Sequence, residues 1–109
     1  GTGQQVRDYT YVGDTAKAYI QALENPEAAG ETFLLPTGVG TTLNQLSEKI
    51  VKITGSKAGV EYHPPRKGDI QRFVGSYRKA QEKLGWRPEI SLDEGLKNEH
   101  QWIVKDLDK

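Results

Sequence analysis

Several residue types and patterns are missing from this sequence, and each absence narrows the possible functions. There is no cysteine, which excludes disulfide bonds and cysteine-ligated metal sites. Basic and acidic residues balance, with 15 of each, whereas proteins that bind nucleic acid or membrane surfaces normally carry a basic excess. No apolar run approaches the roughly 18 residues of a membrane-spanning helix. We therefore expect a cytoplasmic protein that binds neither nucleic acid nor membrane.

Methionine is absent as well, and the chain opens with the loop-like residues Gly1-Thr2-Gly3. We therefore expect these residues to be a piece of a longer polypeptide. The 109 residues are enough for a single domain with one modest core.

Recognisable catalytic motifs are also lacking. There is no cysteine nucleophile, no Gly-x-Ser-x-Gly elbow and no Gly-x-x-x-x-Gly-Lys phosphate loop. The two histidines, His63 and His100, have no ligand partners at metal spacing. Gly38-Val39-Gly40 lacks the rest of the dinucleotide fingerprint and is better interpreted as a plain turn. The sequence thus predicts no catalytic residue and no metal ligand within the chain.

The order of predicted elements indicates an α/β arrangement of about four helices with short, partly parallel strands. Strands are predicted at residues 6–12, 32–35, 60–63 and 71–74, from β-branched and aromatic content or alternation. Asp14 is the predicted N-cap of the first helix, which should end near Asn25 because Pro26 follows.

Capping patterns predict the remaining helices. Thr42 and Gln45 fit a capping box, and Gly55 is the natural end of that helix. Ser76 is expected to cap a short helix closed by Gly85. Ser91 and Glu94 form a second box that opens a last helix, which Trp102 is expected to dock on the core.

Binding chemistry is concentrated in Pro64-Pro65-Arg66-Lys67-Gly68-Asp69. The prolines stiffen this loop and Gly68 permits a sharp bend between a guanidinium and a carboxylate. A second arginine, Arg7, follows a glycine turn, and two arginines from separate segments could hold a diphosphate between them. Asp69 could accept a hydrogen bond from a ribose hydroxyl, and Phe73 could pack against a nucleotide or in the core. The alternative is a solvated loop with a local Arg–Asp pair.

These segments resemble a known family in the order in which they occur. Residues 1–14 are similar to the Gly-Asp-Gly-x-Gln-x-Arg-Asp-Phe-x-Tyr-Val-x-Asp segment of NAD-dependent nucleotide-sugar epimerases and dehydratases, which are extended short-chain dehydrogenases. Residues 64–70 resemble the family's Pro-Pro-Arg-x-Gly-Asp-Ile loop, and residues 79–88 its Lys-Ala-x-x-x-Leu-Gly-Trp-x-Pro signature. The resemblance covers nearly the whole chain and implies the C-terminal, substrate-binding portion of such an enzyme.

The resemblance also implies a role for each matching position. Arg7 and Arg66 would contact the nucleotide diphosphate from two sides, and Asp69 would bind the ribose. Phe73 takes a place often held by an aromatic residue near the nucleotide, and Gln5 would line the same pocket. A nucleotide-sugar, with UDP as the nucleotide, is therefore the expected ligand.

The expected activity belongs to a longer enzyme that isomerises a nucleotide-sugar in carbohydrate metabolism, with UDP-glucose 4-epimerase as the best-known member. The family's Rossmann domain, NAD fingerprint and Tyr-x-x-x-Lys pair lie upstream and do not occur here. We expect the 109 residues alone to bind no cofactor and to be inactive, and the full enzyme to be a homodimer. A 4,6-dehydratase, a reductase and a stand-alone binding module remain alternatives.

Overall fold

Four helices and two very short strands make up the regular structure of the chain. The computed structural model describes residues 1–109. The helices are α1 (Val12–Glu24), α2 (Leu43–Thr54), α3 (Arg78–Leu84) and α4 (Leu92–Leu107), and the strands are β1 (Val6–Arg7) and β2 (Thr41–Thr42), with a 3₁₀ turn at Pro26–Ala28. The number of helices and the shortness of the strands confirm the α/β prediction. None of these helices has the length and apolarity needed to cross a membrane.

Strand β1 lies between two neighbours. It pairs antiparallel with β2, Val6 standing opposite Thr42. On its other side the Val6 N–H donates to the Gln71 carbonyl at 2.8 Å, and the Val6 carbonyl accepts from the Phe73 N–H at 2.9 Å. This second contact is a single parallel bridge, so the expected parallel pairing is present but does not extend into a ladder.

The other strand predictions were too long or wrong. The segment predicted at residues 6–12 leaves the ladder after Arg7, because the side chains that follow bind loops instead; the Thr10 hydroxyl, for example, donates to the Leu35 carbonyl at 2.6 Å. Residues 32–35 and 60–63 form no strand. These segments have no adjacent strand with which to pair, and β propensity alone is too weak to form a strand.

Helix α2 begins and ends as predicted. The Thr42 hydroxyl accepts from the Gln45 N–H at 3.0 Å, and the Gln45 side chain accepts from the Thr42 N–H at 2.9 Å. Gly55 ends the helix with φ of +67°, a conformation that favours glycine. In α4 only half of the predicted box is present, since Ser91 accepts from the Glu94 N–H but the return bond is not formed.

The core is small and is built around Trp86, not Trp102. Trp86 is fully buried with Ala18 and Ala80, and the edge of its ring packs against Tyr77 with centroids 6.1 Å apart. Trp102 is 66% exposed, so the prediction that it docks α4 was wrong. The sequence places Trp102 on α4 but does not show whether another element covers that part of the helix.

Asp14 has a tertiary role in place of the predicted capping role. Helix α1 begins at Val12, so Asp14 lies inside its first turn and is buried. Its carboxylate accepts from the N–H groups of Glu89 and Ile90 at 3.1 and 3.0 Å, and its carbonyl accepts from the Trp86 indole N–H at 2.8 Å. Asp14 therefore ties α1 to the segment that leads into α4. The prediction of the helix end at Asn25 was correct.

Candidate functional site

The predicted binding loop forms a tight turn. The Asp69 N–H donates to the Arg66 carbonyl at 3.3 Å, and Gly68 adopts φ of +80° inside the turn. A four-residue turn closed in this way holds its first and last Cα atoms within about 7 Å. Arg66 and Asp69 therefore stand at the two ends of one short, stiff unit, which follows directly on two prolines.

Side chains from the start of the chain meet this turn. The Arg7 guanidinium donates to an Asp69 carboxylate oxygen at 2.9 Å and to the Val6 carbonyl at 3.0 Å. The Gln5 side-chain amide donates to the other Asp69 oxygen at 3.3 Å. Three of the five predicted site residues, from segments more than 60 positions apart, thus converge on one carboxylate.

The pair between Arg7 and Asp69 is shielded from solvent, with side-chain exposures of 27% and 19%. Partial burial strengthens the pair relative to a fully exposed one, because water screens it less. The carboxylate also fixes the plane of the guanidinium, so the Arg7 N–H groups that remain unpaired point in a defined direction.

Positive charge exceeds negative charge at this place. Arg66 and Lys67 are exposed on the turn and form no ion pair, whereas Arg7 is balanced by Asp69. The sequence predicts that Arg7 and Arg66 contact a diphosphate from two sides; in the structure Arg66 forms no ion pair, whereas Arg7 is held by Asp69. Three cations against one carboxylate still favour an anionic group at this surface.

Phe73 lies next to this cluster through its backbone, which pairs with Val6. Its side chain is 47% exposed, so it is not a core residue in this chain. A half-exposed ring beside a cationic turn remains available to a ligand.

Asp8 is a central polar residue that sequence reasoning did not single out. Its carboxylate accepts from the Thr37 N–H at 2.8 Å, from the Thr37 hydroxyl, from the Gly38 N–H at 2.9 Å and from the Gly75 N–H at 3.2 Å. Burial alone would raise the pKa of Asp8, but these hydrogen bonds outweigh it and lower the pKa below its ordinary value. The signals in the sequence were its position directly after Arg7 and its match to the Asp of the family segment that residues 1–14 resemble.

The Asp8 contacts also decide what the glycine turn at residues 38–40 can bind. The Gly38 N–H, which a phosphate would need, is already taken by a carboxylate. A phosphate placed there would meet the negative charge of Asp8. The turn at residues 38–40 therefore has no free Gly38 N–H to offer a phosphate, which agrees with its interpretation as a plain turn.

Two cavities of the chain lie away from the cationic turn. One of about 390 Å³ is bordered by the loop that Asp8 holds and by the segment that leads into α4; its lining is Tyr9, Thr37, Val39, Thr41, Tyr77 and residues 88–92. Another, of about 280 Å³, lies between residues 9–11 and helices α2 and α4. Neither is lined by Arg7, Arg66 or Asp69.

Comparison with known proteins gives a consistent set of relatives. Residues 1–99 match the family model described as GDP-mannose 4,6 dehydratase. The chain is 38% identical over 96 residues to the UDP-glucose 4-epimerase of Mycolicibacterium smegmatis, covering 88% of this chain and 30% of that protein. It is 37% identical over 109 residues to the UDP-glucose 4-epimerase of Caenorhabditis elegans, covering 96% of this chain and 31% of the relative.

Solved structures agree in fold. The UDP-glucose 4-epimerase of Thermotoga maritima, solved with UDP-glucose, is 46% identical with a TM-score of 0.90, covering 98% of this chain and 34% of that one. The UDP-glucose 4-epimerase of Bifidobacterium longum, in complex with NAD⁺ and UDP, is 28% identical with a TM-score of 0.86, covering 94% of this chain and 31% of that one. The chain thus spans about a third of the length of the relatives it matches.

Proposed function

Because the chain belongs to the epimerase/dehydratase family of extended short-chain dehydrogenases, we propose that it is the substrate-binding portion of a UDP-glucose 4-epimerase-like enzyme. In this proposal the 109 residues form one domain that holds the nucleotide diphosphate of a UDP-sugar. The NAD-binding Rossmann domain is a separate part of the whole enzyme, which is a cytoplasmic homodimer acting in carbohydrate metabolism.

The observation that carries the proposal is the convergence of Gln5, Arg7 and Asp69. Their contacts link the first residues of the chain to the turn that presents Arg66. A diphosphate placed against this surface would receive N–H groups from Arg7 in a fixed plane and a second guanidinium from Arg66, which is free to rotate onto it.

Asp69 has two tasks in this arrangement. Its carboxylate orients Arg7, and an ionised carboxylate has acceptor capacity left for a ribose hydroxyl. Phe73, whose backbone pairs with Val6, offers a half-exposed ring suited to a base or a ribose. Gln5 is buried and supports Asp69 from behind, so its contribution is to position the carboxylate.

The chemical step is assigned to the part of the enzyme that carries NAD. The sequence has no Tyr-x-x-x-Lys pair to move a proton, and the turn at residues 38–40 does not accept dinucleotide phosphates. We therefore propose that these residues bind and orient substrate and do not turn it over alone. Detectable epimerisation by the 109 residues would contradict this assignment.

Substitution of the two arginines tests the diphosphate site. The substitutions are made in a chimera in which this chain replaces the matched third of the Thermotoga maritima enzyme, so that the whole substrate-binding cleft is present. Arg7→Ala and Arg66→Ala should each weaken UDP-glucose binding by about 1.5–3 kcal/mol, or roughly 10- to 150-fold in Kd by calorimetry.

The matched control is Arg78→Ala, which removes an exposed arginine that pairs with Glu82 on α3. This variant should bind UDP-glucose as the unsubstituted chimera does. Equal affinity in all three variants would reject the diphosphate role of Arg7 and Arg66.

One alternative within the family has direct support, since the matching family model is described as a 4,6 dehydratase. Product analysis of the chimera does not decide this point, because the donor domain carries the chemistry. The reading frame upstream of Gly1 does: its catalytic residues would identify the reaction, and the absence of any cofactor domain there would favour a stand-alone binding module.

A further inference from the structure

Two glycines let the loop at residues 36–40 lie directly against its neighbours. At Gly75, a Cβ atom would lie 2.7 Å from the Cβ and Cγ atoms of Pro36. Pro36 is buried and its ring is rigid, so it cannot turn aside. Real Cβ atoms essentially never make contacts shorter than 3.0 Å, so only glycine fits at position 75 in this arrangement.

Gly40 makes the second close approach, at the other end of the same loop. A Cβ atom there would lie 2.7 Å from a Val6 methyl carbon and 2.9 Å from a Val74 methyl carbon. Valine side chains are stiff at χ1, so neither methyl group has an easy alternative position. Neither Gly40 nor Gly75 has a positive φ. The backbone would therefore accept alanine at both positions, and the lack of space is what requires glycine.

The segment that this loop contacts, residues 71–75, is bound to the start of the chain at three points. The Val6 N–H and carbonyl bond to the backbone of residues 71 and 73, at 2.8 and 2.9 Å. The Asp8 carboxylate accepts from the Gly75 N–H at 3.2 Å. Arg7 lies between the two residues that make these bonds. The position of residues 71–75 therefore sets the position of the Arg7 backbone as well as that of the Phe73 ring.

We propose that Gly40 and Gly75 are positioning residues of the nucleotide site; this inference rests on the proposed function. Through them the loop at residues 36–40 fixes where Arg7 and Phe73 lie, and neither glycine touches the ligand. A Cβ atom at position 75 would have to move by about 0.7 Å to reach the 3.4 Å of ordinary van der Waals contact. That displacement is larger than the range of N–H···O distances in hydrogen bonds, about 2.7–3.2 Å. An Arg7 carried along by it would lose its bond to the diphosphate.

The test uses the chimera with the Thermotoga maritima enzyme and begins with Gly75→Ala. The added methyl group should push residues 71–75 away from the loop and raise the Kd for UDP-glucose roughly tenfold or more, because the site loses a charge-assisted contact. Free UDP should lose affinity by the same factor, since the displaced groups face the nucleotide. Epimerisation should show a raised KM with kcat unchanged, whereas loss of folded enzyme alone would lower kcat and leave KM as it was.

A second variant and a matched control use the same alanine substitution. Gly40→Ala should raise Kd and KM as Gly75→Ala does, because its methyl group would press on Val6 and Val74. Gly59→Ala is the control, since Gly59 has no positive φ and a Cβ atom there meets nothing within 4 Å. This variant should leave Kd, KM and kcat unchanged.

Pro36→Gly provides a rescue, because it removes both atoms that a Cβ at position 75 would meet. The double variant Gly75→Ala with Pro36→Gly should recover most of the affinity for UDP-glucose. If Gly75→Ala were only destabilising, Pro36→Gly would worsen it, since replacing proline by glycine adds freedom to the unfolded chain. If Gly75→Ala does not fold, Gly40→Ala and the double variant provide the same test.

Hydrogen exchange of peptides that span residues 71–75, measured by mass spectrometry, reports the packing of this segment without a ligand. Exchange should be faster in Gly75→Ala and should return to normal in the double variant. If this pattern holds while Arg7→Ala and Arg66→Ala keep their affinity, only the proposed function is rejected. If the arginine variants lose affinity but Gly75→Ala and Gly40→Ala keep it, or if Pro36→Gly fails to rescue, this inference is rejected.

Discussion

Replacement of Asp8 by asparagine offers the sharpest test of how the site is held together. The carboxylate gathers the Thr37 N–H and hydroxyl on one oxygen and the Gly38 and Gly75 N–H groups on the other. Asparagine has the same shape but supplies one acceptor oxygen, and its amide group would face two donors. The loop at residues 37–38 and the backbone at Gly75 would therefore lose part of their attachment to the residue that follows β1.

The magnitude follows from the two donors that lose their acceptor. A hydrogen bond to a charged group contributes about 1.5–3 kcal/mol, and a donor left without a partner in a shielded place costs a similar amount. Asp8 is only partly buried, so water can reach some of these groups. We expect Asp8→Asn to lower the free energy of unfolding by about 2–4 kcal/mol, a large part of the stability of a domain of this size.

The pH dependence gives the prediction its sign. The pKa of Asp8 in the folded chain lies below its ordinary value of 3.8, so the carboxylate stabilises the fold fully above that value. This contribution is lost as the pH falls through the folded pKa. The difference between wild type and Asp8→Asn should be constant from neutral pH down to about pH 5 and should shrink only in stronger acid.

Urea unfolding followed by the fluorescence of buried Trp86 measures this difference at each pH. Asp106→Asn serves as the control, since this exposed acid on α4 makes only a 3.8 Å contact with Lys109. A loss below about 0.5 kcal/mol for Asp8→Asn, the range of ordinary surface changes, would refute the role of Asp8 as an anchor. A penalty that persisted unchanged at pH 2 would refute the charge argument.

Two further predictions concern the core and a helix cap. Trp86→Phe removes the indole N–H that binds the Asp14 carbonyl and should destabilise the fold by roughly 2–4 kcal/mol in urea unfolding, whereas Trp102→Phe should change it by less than about 0.5 kcal/mol. Thr42→Ala removes the N-cap of α2 and should lower the free energy of unfolding by about 1 kcal/mol in the same assay, with Thr32→Ala at an exposed position as the control. Each prediction is contradicted if the variant and its control lower the stability equally.

Features set by neighbouring residues could be predicted from the sequence. The capping box at Thr42 and Gln45, the glycine end at Gly55 and the stop before Pro26 depend on contacts within one helical turn, and all three were correct. The sequence predicts that Arg7 and the turn at residues 66–69 serve one ligand, which stays a prediction; the direct contact between Arg7 and Asp69 was not predicted.

Features set by distant residues could not be predicted. Asp14 is a residue type preferred at helix N-caps, but its carboxylate binds backbone N–H groups of Glu89 and Ile90, more than 70 positions away. The local sequence does not show which tryptophan is buried; the packing of α1 and α3 buries Trp86 and leaves Trp102 exposed. The donors of the Asp8 carboxylate, at Thr37, Gly38 and Gly75, lie in loops that fold back onto it. Contacts between loops leave no periodic signal in the sequence.

The brevity of β1 and β2 has a consequence for behaviour at high concentration. Aggregation by β-strand addition needs a long, flat, exposed edge strand with which another molecule can pair its backbone. Here each strand is two residues long, and β1 already has a neighbour on both sides. Aggregation of this protein should therefore proceed by contact between helices. The infrared amide I spectrum of the aggregate should remain that of helical structure, without the band of an amyloid-type fibre.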